Sequence, residues 1–435
     1  MKSVSLGEYW RLTRENANFR RLWTAQIISE IGDWFYTLAI YSLLLEYTGE
    51  ASSVAWALIL QVFPQVFVGP IAGVVNDRIS RRKVMIAADL MRALIVACML
   101  LVRSPSIVWL VYPLLFCETV MWSFFEPARS SVIPNVVASD DVIVANTLSS
   151  TTWSFNLAIG STVGGMVAAL LGRDAVFGLN ALSFVASAFF ISRMHFVETH
   201  TEAHGPLQIH ELFDYTPVLE GLRYMRSDKR LTAMVMAKSG VGLLGVSWVV
   251  FPIMGERTFN LAHYGIAPQR AALISMSILM GARGIGALIG PLSAARWAGR
   301  SQLRLRRGIA FGFAVGSLGY IVLSTAPNIV IAALLIVMAH AGTSNVWVFS
   351  STLLQLNTDD KFRGRVFAAE LSLTMLVLST VSYIAGFVLD AGVSTRMLVL
   401  GAGVFMLLPF AAWSFAQRFW SGKVGVQDAG SEVRS

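Results

Sequence analysis

Apolar runs of membrane-spanning length, repeated twelve times, constrain this chain more than any other feature of it. A hydrocarbon core about 30 Å thick asks for roughly 20 consecutive apolar residues in a helix. Windows of that kind lie at approximately 22–45, 53–75, 84–103, 106–125, 142–171, 174–194, 231–254, 271–295, 308–325, 328–354, 364–389 and 396–417. Several are longer than the bilayer is thick, an excess that tilt or protrusion absorbs. Only 14% of the residues are charged and the mean hydropathy is +0.62, against about 25% charged in soluble domains. Hydrocarbon offers backbone amides no hydrogen bonds, so the spans are predicted to be helices, and the fold class is an all-α membrane protein.

The net charge of +8 would suit a nucleic-acid partner in a soluble protein. Here the basic residues fall in short clusters between apolar runs and are not interleaved with aromatics, which argues against one. One side collects Lys2, Arg11, Arg14, Arg20 and Arg21; Arg78 to Lys83; Arg129; Arg193 to Arg230; Arg296 to Arg307; Lys361 to Arg365; and Arg418, Lys423 and Arg434. The other holds Arg103, Arg173, Arg257, Arg270 and Arg396. By the positive-inside rule both termini are expected in the cytoplasm. The first span is expected to act as an uncleaved signal anchor, since no small-residue cleavage site follows it. Cys98 and Cys117 both lie inside apolar runs and are read as packing residues, with no disulfide framework or metal-ligand spacing.

The runs divide the chain into an N-terminal segment (1–21), a six-span bundle (22–194), a linker (195–230), a second six-span bundle (231–420) and a polar tail (421–435) expected to be disordered. In the linker Leu212, Tyr215, Leu219 and Leu222 recur at helical spacing, which predicts an amphipathic helix lying along the membrane surface. An internal repeat supports two equivalent halves: Asp140-Asp141 and Asp359-Asp360 each precede the fifth span of a half. Two pseudo-symmetric bundles of six spans are a transporter architecture, with the site at their interface. No phosphate-cradling glycine loop, metal cluster or Ser/His/Asp set stands out, so neither an enzyme nor a cofactor is expected.

The loop after the second span reads Gly73-Val-Val-Asn-Asp77-Arg78-Ile-Ser80-Arg81-Arg82-Lys83. This resembles the signature between spans 2 and 3 of the major facilitator superfamily, with Ser80 in place of the second glycine. Phe19-Arg-Arg-Leu-Trp23, Gly32-Asp33, Ala88-Asp89-Leu-Met-Arg92, Glu126-Pro-Ala-Arg129 and Phe362-Arg-Gly-Arg365 are similar to the enterobactin-exporter and macrolide-efflux branch. The resemblance implies proton-driven efflux of small amphipathic molecules from a bacterium, through the inner membrane, by a monomer. Gly160-Ser-Thr-Val-Gly164-Gly165 resembles the antiporter motif of exporters, with Ser161 where that motif has proline. The resemblance also implies a conformational latch: Asp77 meeting the N-terminus of the eleventh span, with Gly73, Arg78, Arg81 and Arg82 beside it. One of those arginines is expected to pair with Glu126.

Ionisable residues inside spans are costly and mark functional sites. Gln26, Glu30, Asp33 and Thr37 recur at intervals of four, three and four, which puts them on one helix face. Asp33 and Glu118 fall near the membrane midplane, and in the superfamily spans 1, 4, 7 and 10 line the cavity. Asp33, Glu30, Glu118 and Gln26 are therefore the expected proton and substrate groups. Lys238 is expected to face one of these carboxylates across the two halves. Asp89 and Arg92, three apart on the third span, are expected to form a structural ion pair, and His340 to pack. Gly160, Gly164, Gly286 and Gly290 are read as close-approach positions. Other functions on the same fold would be an uptake symporter, a lipid carrier, or a non-transporting receptor or assembly factor.

Overall fold

Each apolar window becomes a helix. The computed structural model describes residues 6–138, 141–198, 216–298 and 301–420. A short α1 (Leu6–Glu15) leads into α2 (Ala17–Thr48), α3 (Ala51–Val62) and α4 (Pro64–Arg78). These last two form one rod, divided where Pro64 lacks an N–H to donate. Then α5 (Arg81–Cys98), α6 (Val111–Val136), α7 (Val142–Leu171) and α8 (Arg173–Ser192) complete the first half. The second half follows α9 (Thr216–Ser227). It comprises α10 (Lys229–Val241) and α11 (Gly245–Ile253), which form one rod, then α12 (Pro268–Ala298), α13 (Gln302–Leu323), α14 (Ile329–Asn357), α15 (Asp360–Asp390), α16 (Thr395–Phe405) and α17 (Leu407–Ala416).

Ten rods among the described residues are long and apolar enough to cross a membrane. The less apolar α2 and α13 hold Arg20, Arg21, Glu30, Asp33 and Glu46, and Arg304, Arg306 and Arg307. With them, the order of helices follows the expected spans. The boundary that departs most is the fourth: the apolar window closes at 125, yet α6 runs on to Val136. Glu126, Pro127, Arg129 and Pro134 interrupt the hydropathy, not the helix. Side-chain caps fix several starts: Asn16 accepts from the Phe19 amide, Ser80 from Lys83 and Asn328 from Ile331, as short polar residues do at helix N-termini. Gly49, at φ 70°, ends α2 in the left-handed conformation that glycine adopts freely.

The linker helix α9 docks on the start of α15. Gly221 lies so close to the Arg365 backbone that an added Cβ would overlap it. Tyr224 stacks on Phe362 at 4.3 Å and its hydroxyl donates to Asp359 at 2.9 Å, while Arg365 and Glu220 pair at 2.6 Å. Leu212, Tyr215, Asp140, Gly299, Arg300 and the tail 421–435 lie outside the described residues, as does the side chain of Asp77. Of the Asp-Asp repeat, Asp141 and Asp359 each directly precede a helix. Asp141 accepts from Arg11 at 2.5 Å at the start of α7, and Asp359 occupies the equivalent place before α15.

The halves meet along α7 and α12. An added Cβ on Gly165 would overlap the Ser277 hydroxyl, one on Gly281 the Thr162 hydroxyl, and one on Gly284 the Ala158 backbone. Gly160 and Gly164 bring α7 equally near Trp34 and Phe35 of α2. The exporter-like glycines thus form a three-helix joint, in keeping with small residues letting membrane helices approach. Gly286 and Gly290 do the same within the second half, against Val337, His340 and Ala341. Gly165→Leu is expected to destabilise the protein by at least about 1–3 kcal/mol, read as a lowered melting temperature in lipid nanodiscs. An unchanged melt would mean that α7 and α12 do not touch there.

Candidate functional site

A guanidinium organises the middle of the first half. Arg92 of α5 is 2% exposed. Its Nε donates to Glu118 of α6 at 2.7 Å and its Nη2 to Asp33 of α2 at 2.7 Å. The Asp89 carboxylate, one turn away on α5, lies 3.8 Å from Nη1. Phe184 of α8 covers the cation at 4.0 Å. A buried cation is tolerable only when opposite charges and hydrogen bonds replace its water. Gly32 makes the gathering possible, because a side chain there would overlap Asn180 and Ser183 and hold α8 away from α2. The expected Asp89–Arg92 ion pair is present as the longest of three: the short bonds of Arg92 go to Asp33 and Glu118. Those two carboxylates converge on an arginine that sequence spacing had assigned to another partner. Side-chain exposure within the set is graded, 28% for Asp33, 11% for Glu118 and none for Asp89.

One turn nearer the N-terminus of α2 lies a second polar chain. Asn156 of α7 donates to Glu30 at 2.8 Å, as does Gln26. The Gln26 carbonyl oxygen accepts from Arg129 of α6 at 3.0 Å, and Arg129 holds Glu126 through two bonds of 2.9 and 2.5 Å. Glu126 is thus engaged within its own helix, which corrects the expected pairing with the loop arginines. Arg81 donates instead to the carbonyls of Asn76 and Ser131, and Arg82 to those of Ile191 and Ser192. Glu198 accepts from the Ser80 hydroxyl and the Arg82 amide. The loop therefore laces together the ends of α4, α6 and α8. Arg78 is half-buried at the end of α4, and a Cβ on Gly73 would meet open space. Asn156 and Glu198 joined these networks without a signal in the sequence, since their partners are 116 to 126 residues away.

In the second half Lys238 of α10 donates to Glu370 of α15 at 2.8 Å and to Ser351 of α14 at 2.9 Å, and faces Trp347 at 4.4 Å. The expected pairing of Lys238 with a carboxylate of the first half is corrected: its partner is in its own half. Buried His340 bonds the Tyr320 hydroxyl at 3.0 Å.

Between the halves, Asp390 ends α15 and accepts from the Ala51 and Ser52 amides at 2.7 and 2.8 Å. It caps α3, where a carboxylate meets the positive end of a helix. Arg257 donates to the Gly49 carbonyl at 2.7 Å, and Trp34 and Trp248 stack at 5.8 Å. Asp390 and Arg257 lie at the bundle end away from the 78–83 loop. Among the described residues α4, α6, α10 and α14 make no substantial contact with the opposite half. The contacts of Asp390 and Arg257 hold the bundle closed at their end. Two surface hollows, of about 440 and 610 Å³, lie at the closed end, and no residue of the carboxylate networks lines either.

Comparisons with known proteins agree with this arrangement. Residues 13–422 match the family described as transmembrane secretion effector. The MFS-type transporter YfiS of Bacillus subtilis is 26% identical over 384 residues, 84% of this chain and 85% of its own. Macrolide efflux protein A of Streptococcus pyogenes is 25% identical over 286 residues, 65% and 67% of the two chains. The crystal structure of the nucleoside transporter NupG superposes with a TM-score of 0.73 at 11% identity, covering 92% of this chain and 99% of that one. A bacterial homologue of the lysosomal transporter Spinster, inward-facing and occupied, gives 0.67 at 12% identity over 93% and 97%. At such identities the structural likeness is one of fold. With the family matched along nearly its whole length, the chain belongs to the transmembrane secretion effector family of major facilitator transporters.

Proposed function

We propose that this membrane transporter exports small amphipathic molecules across a bacterial cytoplasmic membrane in exchange for protons, working as a monomer with both termini in the cytoplasm. The observation that carries the reading is the meeting of Asp33, Glu118 and Asp89 on Arg92 at the middle of the bundle. Three carboxylates against one guanidinium leave a formal surplus of negative charge in a lipid-bounded interior, where uncompensated charge is costly. Proton uptake relieves it. Asp33, the most exposed of the three at 28%, is the port of entry, and its protonation loosens its bond to Arg92. Glu30 on the same helix is tied to Asn156 of α7, and α7 packs on α12 across the halves. Charge on α2 and the fit of the two halves are thus mechanically linked.

The two ends of the bundle supply the alternation. The arginine-rich end is the cytoplasmic one by the positive-inside rule, which puts the Asp390 seal on the outer side. Asp390, at the C-terminal end of α15, caps the N-terminal end of α3. Asp77 occupies the mirrored place near the end of α4. In the outward-facing state Asp77 takes the same role toward the start of α15, with Gly73, Arg78, Arg81 and Arg82 around it. Support for the export direction comes from the relative named as a macrolide efflux protein.

In a host lacking other exporters, expression of the wild type should raise resistance to at least one member of a macrolide and peptide-antibiotic panel. Asp33→Asn should return that resistance to the level of the empty host. Inverted vesicles should accumulate the compound under an imposed proton gradient and lose it on adding a protonophore; accumulation indifferent to the protonophore would defeat the coupling. Asp390→Asn removes a charge from two amide bonds and should raise the population open at the closed end about tenfold, equivalent to about 1.4 kcal/mol. Thiol labelling of Ser52→Cys in a cysteine-free background measures this, and unchanged labelling would show that the cap does not hold that end shut.

A further inference from the structure

Three cations buried deep in the described spans are matched by acids. Arg92 has Asp33, Glu118 and Asp89; Arg129 has Glu126; Lys238 has Glu370. Arg283 of α12 is half-buried, and its Nε and Nη1 are shielded from solvent with no hydrogen-bond partner. Its polar neighbours Tyr41 and Tyr320 are engaged elsewhere. The Tyr41 hydroxyl donates to Gln61 at 3.0 Å, and Tyr320 bonds His340 at 3.0 Å. Neither carries a charge to offer. A guanidinium left this way inside a membrane costs at least a few kcal/mol, and that cost is met when an anion arrives.

The surroundings describe the anion. The Arg283 guanidinium lies 3.6 Å from the centre of the Trp248 ring. Trp248 stacks on Trp34 with centroids 5.8 Å apart and planes 8° from parallel, and Trp153 meets Trp34 edge-on at 6.1 Å. The cation therefore caps an aromatic stack that crosses from α11 of one half to α2 of the other. Gly281 and Gly284, on either side of Arg283, are the places where α12 touches α7. At the far end of the stack Trp34 adjoins Asp33 in sequence. The guanidinium and the tryptophan stack thus lie at the seam of the two halves, and α2 carries both Trp34 of the stack and Asp33 of the carboxylate cluster.

We propose that Arg283 binds the acid group of an amphipathic substrate whose ring lies against the Trp248–Trp34 stack. The planar fork of a guanidinium matches a carboxylate through two parallel bonds, and the edges of the half-buried indoles provide apolar area for the body of the molecule. This deepens the export reading by naming the substrate class as aromatic or ring-bearing acids. The carboxylate cluster serves the proton and Arg283 serves the cargo.

The test uses the full chain in lipid nanodiscs at fixed pH, with melting followed against 2-naphthoate and 2-naphthamide, which share a ring and differ in charge. Wild type should bind the acid about tenfold or more tightly than the amide, a difference of about 1.4 kcal/mol. Arg283→Gln should bring the two within about threefold while leaving the amide unchanged, and Arg283→Lys should keep part of the preference. Trp248→Leu should weaken both probes. Unliganded Arg283→Gln loses the Trp248 contact together with an uncompensated charge, so it should melt within a few degrees of wild type; a fall as large as that of Lys238→Gln, which breaks a buried ion pair, would mean internal acid partners and would overturn the assignment. Equal shifts with the two probes in wild type, including none with either, would overturn it as well. So would an Arg283→Gln protein that still prefers the acid. No gradient is present, so failure of proton coupling leaves this result standing, and loss of acid preference leaves the coupling untouched.

Discussion

A charge carried into a lipid-bounded interior has to bring its counter-charge with it, and the arrangement of the first half follows from that requirement at Arg92. The guanidinium draws Asp33, Glu118 and Asp89 from three helices to one point, so α2, α5 and α6 cannot rotate independently about their axes. Gly32 then lets α8 close over the assembly, with Phe184 against the cation. The second half solves the same problem with Lys238, Glu370 and Ser351. Each cluster fixes its own half as a body, and neither ties one half to the other.

What does tie them is electrically milder. Asp390 on two amides, Arg257 on a carbonyl, a pair of stacked indoles and a row of glycines cross the interface. Strong ionic bonds within halves and lighter contacts between them are what two rigid units in relative motion require. The helix that belongs to both descriptions is α7, linked to α2 through Asn156 and Glu30 and packed on α12 through Gly165. It gives the carboxylates a route to the seam beside the Trp34–Trp248 stack of α2 itself.

The architecture was legible because hydropathy and backbone hydrogen bonding speak through every residue of a span. Eleven window ends fell close to helix ends, and α6 escaped because Glu126 and Pro127 resemble a loop in hydropathy while continuing a helix. The face carrying Gln26, Glu30 and Asp33 was legible from its spacing for the same reason. Partners across helices were not. Spacing assigns Arg92 to Asp89 because it sees one helix at a time, whereas the nearer carboxylates come from residues 59 and 26 positions away. Lys238 was sent across the interface for want of any sign that Glu370 of α15 would reach it first. Glu198 and Asp390 sit at helix ends among ordinary polar residues, and only the folded chain shows what they bind.

The seam between α7 and α12 interlocks through short side chains: Ser277 faces Gly165, Thr162 faces Gly281, and Gly284 lies on the Ala158 backbone. With knobs so small, little has to be lifted out of its notch when the bodies turn. Such a contact behaves as a smooth bearing: it fixes the distance between the parts while leaving their angle nearly free. The resting angle is then chosen by whatever grips the two rims, so small changes of charge at either mouth can reset a large displacement.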